Sequence, residues 1–182
     1  MDIFNKKIDG QQGFTLIELL ITITIMSIVM SIGYPSFTGA VRNSRLTTNA
    51  NQLIASLNLA RSEAIKRNMM VYIRRKGTTS KNWSEGWDIF IDANNNQIFN
   101  EGVDTLLKTY PPLENNYTLM TGANFNDWTA YLPSGLNSSS GSFLNDSFRL
   151  CATAGDTINS RRVVLNAVGR ARISRGDVSS CP

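Results

Sequence analysis

Two groups of residues in this 182-residue chain carry side chains that could do chemistry. The first is a single carboxylate, Glu18. It is the only charge in the apolar run from Phe14 to Gly33. A carboxylate placed near hydrocarbon costs roughly 2.5–3.5 kcal/mol on insertion scales, so a residue of this kind calls for a partner. The second is a set of cations. Arg161, Arg162, Arg170, Arg172 and Arg175 fall within fifteen residues, and the nearest acids, Asp156 and Asp177, lie outside that window. Clustered guanidinium groups suit an anion, above all phosphate. The alternative is a solvated, charged β-ribbon. The net charge of +4 says less than this distribution does.

Several kinds of chemistry are excluded. The chain has no histidine, so histidine-based triads and histidine-rich metal sites are ruled out. It contains no Walker loop, dinucleotide fingerprint or C-x-x-C pair. The carboxylates are scattered among turn residues. Catalysis is not expected, although acid-pair or Ser-Lys chemistry stays open in principle. No cofactor is implied. Asp92-Ala93-Asn94-Asn95-Asn96 begins like a calcium loop, but Gln97 replaces the required glycine and Val103 stands where the bidentate glutamate belongs. An Asn-rich turn is the expectation there, with no metal. Trp83 and Trp87 fit an aromatic platform less well than packing in a core or across a hairpin.

The elements that must position these residues are legible from periodicity. Phe14 to Gly33 is 20 residues, long enough to span a bilayer as a helix. Lys6 and Lys7 precede it, which places the N-terminus on the cytoplasmic side. No A-x-A cleavage site follows, so the run is expected to be retained rather than removed as a secretory signal. Gly33 and Pro35 interrupt it, which predicts a kink and not a stop. Beyond them Leu46, Ala50, Leu53, Leu57, Ala60 and Ala64 form an amphipathic stripe, with Arg42, Arg45, Arg61, Glu63, Lys66 and Arg67 off it. One helix is expected from about Phe14 to about Asn68, roughly 80 Å long at 1.5 Å per residue.

From Met69 the period becomes two. Strands are predicted over 70–74, 87–91, 105–110, 117–120, 129–132, 147–152, 161–166 and 170–174, separated by Gly, Pro and Asn turn signals. The stretch 138–142 reads as a polar loop. Many short strands after one long helix define an α+β subunit with antiparallel sheets. If this part is exported, Cys151 and Cys181 are expected to pair. The bridge would close a loop of about 30 residues and stabilise by roughly 3–4 kcal/mol in the chain-entropy model. Free thiols are the alternative for a cytosolic chain.

The octapeptide Gly13-Phe14-Thr15-Leu16-Ile17-Glu18-Leu19-Leu20 resembles the class III signal of type IV prepilins and type II secretion pseudopilins. The resemblance implies a leader over 1–13 and cleavage between Gly13 and Phe14 by a prepilin peptidase. It also implies N-methylation of Phe14. The division that follows is a transmembrane and assembly segment over 14–35, an amphipathic half-helix over 36–68 and a β-rich globular domain over 69–182. The implied location is the inner membrane of a Gram-negative bacterium, single-pass with a periplasmic domain, and then the pilus or pseudopilus. The partners are other major and minor pilins. Cleavage creates an amine at Phe14. Side-by-side packing would bring one subunit's Glu18 to a neighbour's Phe14 amine, each charge offsetting the other's desolvation. The competing reading is an interfacial glutamate favoured by the helix dipole.

Further features resemble the FimT/FimU and GspH branch: Ala60-Arg61-Ser62-Glu63-Ala64, Trp83-Ser84-Glu85-Gly86-Trp87, Leu150-Cys151, Arg162-Val163-Val164 and Gly169-Arg170. Within that branch, Gly169-Arg170-Ala171-Arg172 matches the G-R-x-R element that FimT-type proteins use to bind double-stranded DNA in natural transformation. In a strand Arg170 and Arg172 would share one face about 6.8 Å apart, with Arg175, Arg161 and Arg162 extending the track. Three readings follow. The first is a type IV pilus minor pilin that touches DNA. The second is a structural FimU-type minor pilin that helps to start or cap the filament. The third is a GspH-type pseudopilin of type II protein secretion.

Overall fold

The computed structural model describes residues 13–141, 144–152, 156–157, 159–176 and 181. Lys6, Lys7, Asp177 and the part of the expected leader before Gly13 lie outside the described residues. Contacts divide the chain into two compact units, Met1–Val41 and Arg42–Pro182. One helix, α1 (Leu16–Arg67), contributes to both. It passes Gly33 and Pro35 without ending, as expected.

In the first unit no described residue covers the helix. Leu16, Ile17, Ile28, Ile32 and Phe37 are all more than half exposed. Four of its hydroxyls bond the preceding turn. Thr22 donates to the Leu19 carbonyl at 2.8 Å, Thr24 to Leu20 at 2.7 Å, Ser27 to Ile23 at 2.8 Å and Ser31 to Ile28 at 2.8 Å. A hydroxyl that bonds its own preceding turn does not need water. The segment is long and apolar enough to cross a membrane.

In the second unit the predicted stripe becomes core. Leu46, Ala50, Leu53, Leu57, Ala60 and Ala64 are all buried. They meet one face of each of two antiparallel sheets. The first sheet contains β1 (Val71–Arg75), β2 (Trp87–Ile91), β3 (Thr105–Tyr110), β5 (Trp128–Tyr131) and β6 (Asn137–Ser139), in the order β3-β2-β1-β5-β6. The second contains β4 (Thr118–Thr121), β7 (Asp146–Cys151), β8 (Arg161–Leu165) and β9 (Ala171–Arg175), in the order β4-β7-β8-β9. Alternation decides which side chains enter. Val71 and Ile73 of β1 face the helix, with Trp87, Ile89 and Ile91 of β2, while Tyr72 and Phe90 point the other way. There Phe99 and Trp128 cover them, the rings 5.6 Å and 5.3 Å from Phe90 and Tyr72. Fully burying one such apolar side chain contributes about 1.5–3 kcal/mol.

One expectation is corrected. The stretch 138–142 is not all loop, because β6 (Asn137–Ser139) pairs with β5 through Thr129–Ser139, Ala130–Ser138 and Tyr131–Asn137. No apolar alternation marks this strand. It is held by Asn137, which is fully buried, accepts from the Thr129 hydroxyl at 2.6 Å and donates to the Leu144 carbonyl at 2.6 Å.

Candidate assembly segment and nucleic-acid interface

Gly13, Phe14 and Thr15 precede α1 outside any helix or strand, and Phe14 is 86% exposed. The bond between Gly13 and Phe14 therefore lies in open, non-helical backbone. Three residues on, Glu18 closes a reciprocal cap. The Thr15 N–H donates to Glu18 Oε2 at 3.0 Å, the Thr15 hydroxyl donates to the same oxygen at 3.1 Å, and the Glu18 N–H donates to Thr15 Oγ1 at 3.3 Å. This is a capping box, which satisfies two donors that a helix start otherwise leaves unpaired. Reading Glu18 alone missed Thr15, although the T-x-x-E spacing that announces the box is present.

The arginine cluster separates into two faces. Strands β8 and β9 form an antiparallel hairpin in which Val164 is opposite Arg172, Val163 opposite Ile173, Arg162 opposite Ser174 and Arg161 opposite Arg175. Directly opposite residues share a face. Arg162 and Arg172 therefore lie on the face turned away from the core, and Arg161 and Arg175 on the face toward the helix. Arg170 is not within β9, which begins at Ala171. The Asn166 side chain intervenes: Asn166 Oδ1 accepts the Arg170 N–H at 2.8 Å where the ladder would have used a main-chain carbonyl. The two residues of the G-R-x-R element still come together. Arg170 and Arg172, both exposed, flank one shallow groove of about 270 Å3 with Val164, Asn166 and Ala171.

Arg161 does not extend this track. It is 3% exposed, and its Nη2 donates to Asn43 Oδ1 and, at 3.2 Å, to the Thr47 hydroxyl of α1. Arg175 Nη2 donates to the same Asn43 oxygen at 3.2 Å. Burial and then the Arg175 charge hold the Arg161 guanidinium below its ordinary pKa. Both arginines thus tie the hairpin to the helix. The strand register carries this distinction, since residues 161 and 175 have the core-facing parity of Val163 and Ile173.

The turn that presents Arg170 is fastened from below. Gly169 has φ 77° and donates its N–H to the Asn166 carbonyl at 2.9 Å. A Cβ there would fall 2.3 Å from the Gly135 carbonyl oxygen and 2.9 Å from the Tyr131 ring. Tyr131 donates its hydroxyl to the Gly169 carbonyl at 3.3 Å, Arg61 Nη2 donates to the Val168 carbonyl at 3.2 Å, and the Asn137 N–H donates to the Ala167 carbonyl at 3.1 Å. Burial pushes the Tyr131 phenol well above its ordinary pKa, so it stays a donor.

The remaining candidates are structural. Asp92 accepts the N–H groups of Asn94 at 3.2 Å and Gln97 at 2.6 Å, and Asp104 those of Ala93 at 2.9 Å and Asn100 at 2.7 Å. These carboxylates organise an Asn-rich turn. Trp83 and Trp87 are core, the former donating its indole N–H to the Phe125 carbonyl at 3.2 Å. Cys151 and Cys181 form a disulfide across a separation of 30 residues.

An exposed apolar helix start followed by an amphipathic stripe on two antiparallel sheets defines a pilin-like subunit of the minor pilin and pseudopilin class. The comparisons agree. The prokaryotic N-terminal methylation motif matches residues 8–34, and the family described as type II transport protein GspH matches residues 49–169. The chain belongs to the GspH family. Two crystal structures of the type IV minor pilin FimU from Pseudomonas aeruginosa have the same fold. Each is 19% identical, with TM-scores of 0.57 and 0.59, covering 75% and 76% of this chain and 99% and 96% of theirs. The minor pseudopilin EpsH of the Vibrio cholerae type 2 secretion system is 13% identical, with a TM-score of 0.48 over 74% of this chain and 99% of its own. No curated protein matches the chain.

Proposed function

We propose that this chain is a type IV pilus minor pilin that binds double-stranded DNA through Arg170 and Arg172 during DNA uptake. A prepilin peptidase cuts between Gly13 and Phe14 at the inner membrane. The exposed apolar helix then packs among other pilins, with Glu18 meeting a neighbour's methylated Phe14 amine. One observation supports the DNA contact above others: Arg170 and Arg172 flank a single open groove on the face away from the core, on a turn anchored by Tyr131, Arg61 and Asn137. Two guanidinium groups held on a rigid support suit successive phosphates and give affinity with little sequence preference. The track is shorter than the sequence suggested, because Arg161 and Arg175 bond to Asn43.

The test is a salt series on the chain from Arg42 onward, which contains every residue of the main core cluster. Replacing both Arg170 and Arg172 by Gln is expected to weaken duplex DNA binding and flatten the log–log salt slope by up to about 2 units. An unchanged slope and affinity removes the DNA reading. A second reading, a GspH-type pseudopilin of type II protein secretion, is favoured by the family match over residues 49–169. It needs no DNA, and a secretion defect with intact pili on deleting the gene would establish it.

A further inference from the structure

The two edges of the β4-β7-β8-β9 sheet are treated differently. At the β4 edge every second residue turns its backbone groups outward, and those groups are taken. The Leu119 carbonyl accepts from the Trp83 N–H at 2.8 Å, the Leu119 N–H donates to Ser84 Oγ at 2.8 Å, and the Thr121 N–H donates to the Lys81 carbonyl at 3.1 Å. The segment 81–84 thus closes that edge.

The β9 edge has no such cover among the described residues. Its phase follows from two bonds at the hairpin's ends: Asn166 N–H to the Arg170 carbonyl at 3.2 Å, and Gly176 N–H to the Ser160 carbonyl at 3.2 Å. In an antiparallel ladder bonded and non-bonded pairs alternate. Residues 172 and 174 therefore bond inward to β8, while Ala171, Ile173 and Arg175 turn their N–H and C=O groups outward. No backbone hydrogen bond from outside the hairpin reaches these three among the described residues. The apolar layer is also unfinished here. Ile173 is 36% exposed, whereas Val163, directly opposite on β8, is fully buried. The disulfide holds Cys181 to Cys151, at the end of β7 and not beside β9.

We propose that the β9 edge receives an extended segment of another protein chain in which acidic and apolar residues alternate. The added strand pairs with the outward backbone groups of Ala171, Ile173 and Arg175. Its apolar residues lie beside Ile173 on the core side. Its acidic residues lie beside Arg170 and Arg172 on the other side, where opposite charges across strands stabilise and like charges do not. No acid lies between 161 and 175, so the same arginines that repel a basic edge select an acidic one. The backbone pairing and the Ile173 contact stand independently of DNA binding, whereas the acidic side chains would use the same Arg170 and Arg172 that the DNA reading uses.

The test uses the full-length chain in detergent micelles and a short fluorescent peptide of alternating glutamate and valine. The control is the same peptide with alternate backbone nitrogens methylated, which keeps the charge and removes the donors. The unmodified peptide is expected to bind, to slow amide hydrogen exchange at Ala171, Ile173 and Arg175, and to bind at least about tenfold more tightly than the methylated control. Ile173→Pro removes an outward donor without breaking a bond to β8 and is expected to cost about the same factor. Equal binding of the two peptides, no binding, or protection away from β9 overturns the proposal. If Ile173→Pro fails to fold, the peptide pair and the exchange pattern still decide.

Discussion

Among the described residues, Glu18 is held by its own chain through one of its oxygens, Oε2, which accepts both Thr15 donors. The cap fixes the carboxylate at the start of α1, beside the residue whose amine cleavage would release. In the assembly proposed above, Glu18→Val is expected to leave membrane insertion intact, because the substitution makes the run more apolar, and to abolish incorporation into filaments. Immunoblots of membrane and sheared-filament fractions read both outcomes, and normal incorporation would refute the pairing. Mass spectrometry of the mature chain should find methylated Phe14 at its N-terminus. At this scale legibility was uneven. A lone charge in an apolar run is conspicuous in a sequence, so Glu18 could be found. Arg161 could not be told from Arg172 by residue type. Its fate depends on Asn43, which lies far away in sequence and reaches it only through the tertiary fold.

The β8–β9 hairpin shows what an element must supply to a site. Its turn is geometrically overdetermined, since positive φ and the close approach of Gly135 and Tyr131 both demand glycine at 169. Gly169→Ala is expected to destabilise the globular part by about 1–3 kcal/mol, the range for a residue forced into a sparsely populated backbone region, with any displacement of Gly135 added. Denaturant unfolding measures this, and a variant as stable as the parent would show that the turn relaxes freely. Most strands were legible from alternation or from the turn signals that bound them: β2 and β3 run over the predicted residues, and all the others but β6 differ only at their ends. Strand β6 was not legible. It is polar throughout and exists because β5 offers an edge and Asn137 finds buried partners, which is tertiary information.

For the whole molecule, the helical stripe predicted the core well, since every stripe residue is buried. The pairing of Cys151 with Cys181 was also within reach, because two cysteines allow one intramolecular bridge. Its contribution can be measured. The loop of 30 residues implies that reduction lowers the unfolding free energy of the chain from Arg42 onward by about 3–4 kcal/mol. Urea titrations with and without reductant test this, and coincident midpoints would mean that the bridge constrains little. What composition could not reveal was the unequal treatment of sheet edges, which depends on where the segment 81–84 happens to run.

The four back-bonded hydroxyls of the apolar helix have a mechanical consequence. Because Thr22, Thr24, Ser27 and Ser31 already face carbonyls of their own turn, these four hydroxyls make no polar demand on whatever surrounds them. Moving the segment from acyl chains to a sheath of neighbouring side chains would leave its internal bonds unchanged. The energetic difference between those surroundings is then left to packing and to the single carboxylate at its head.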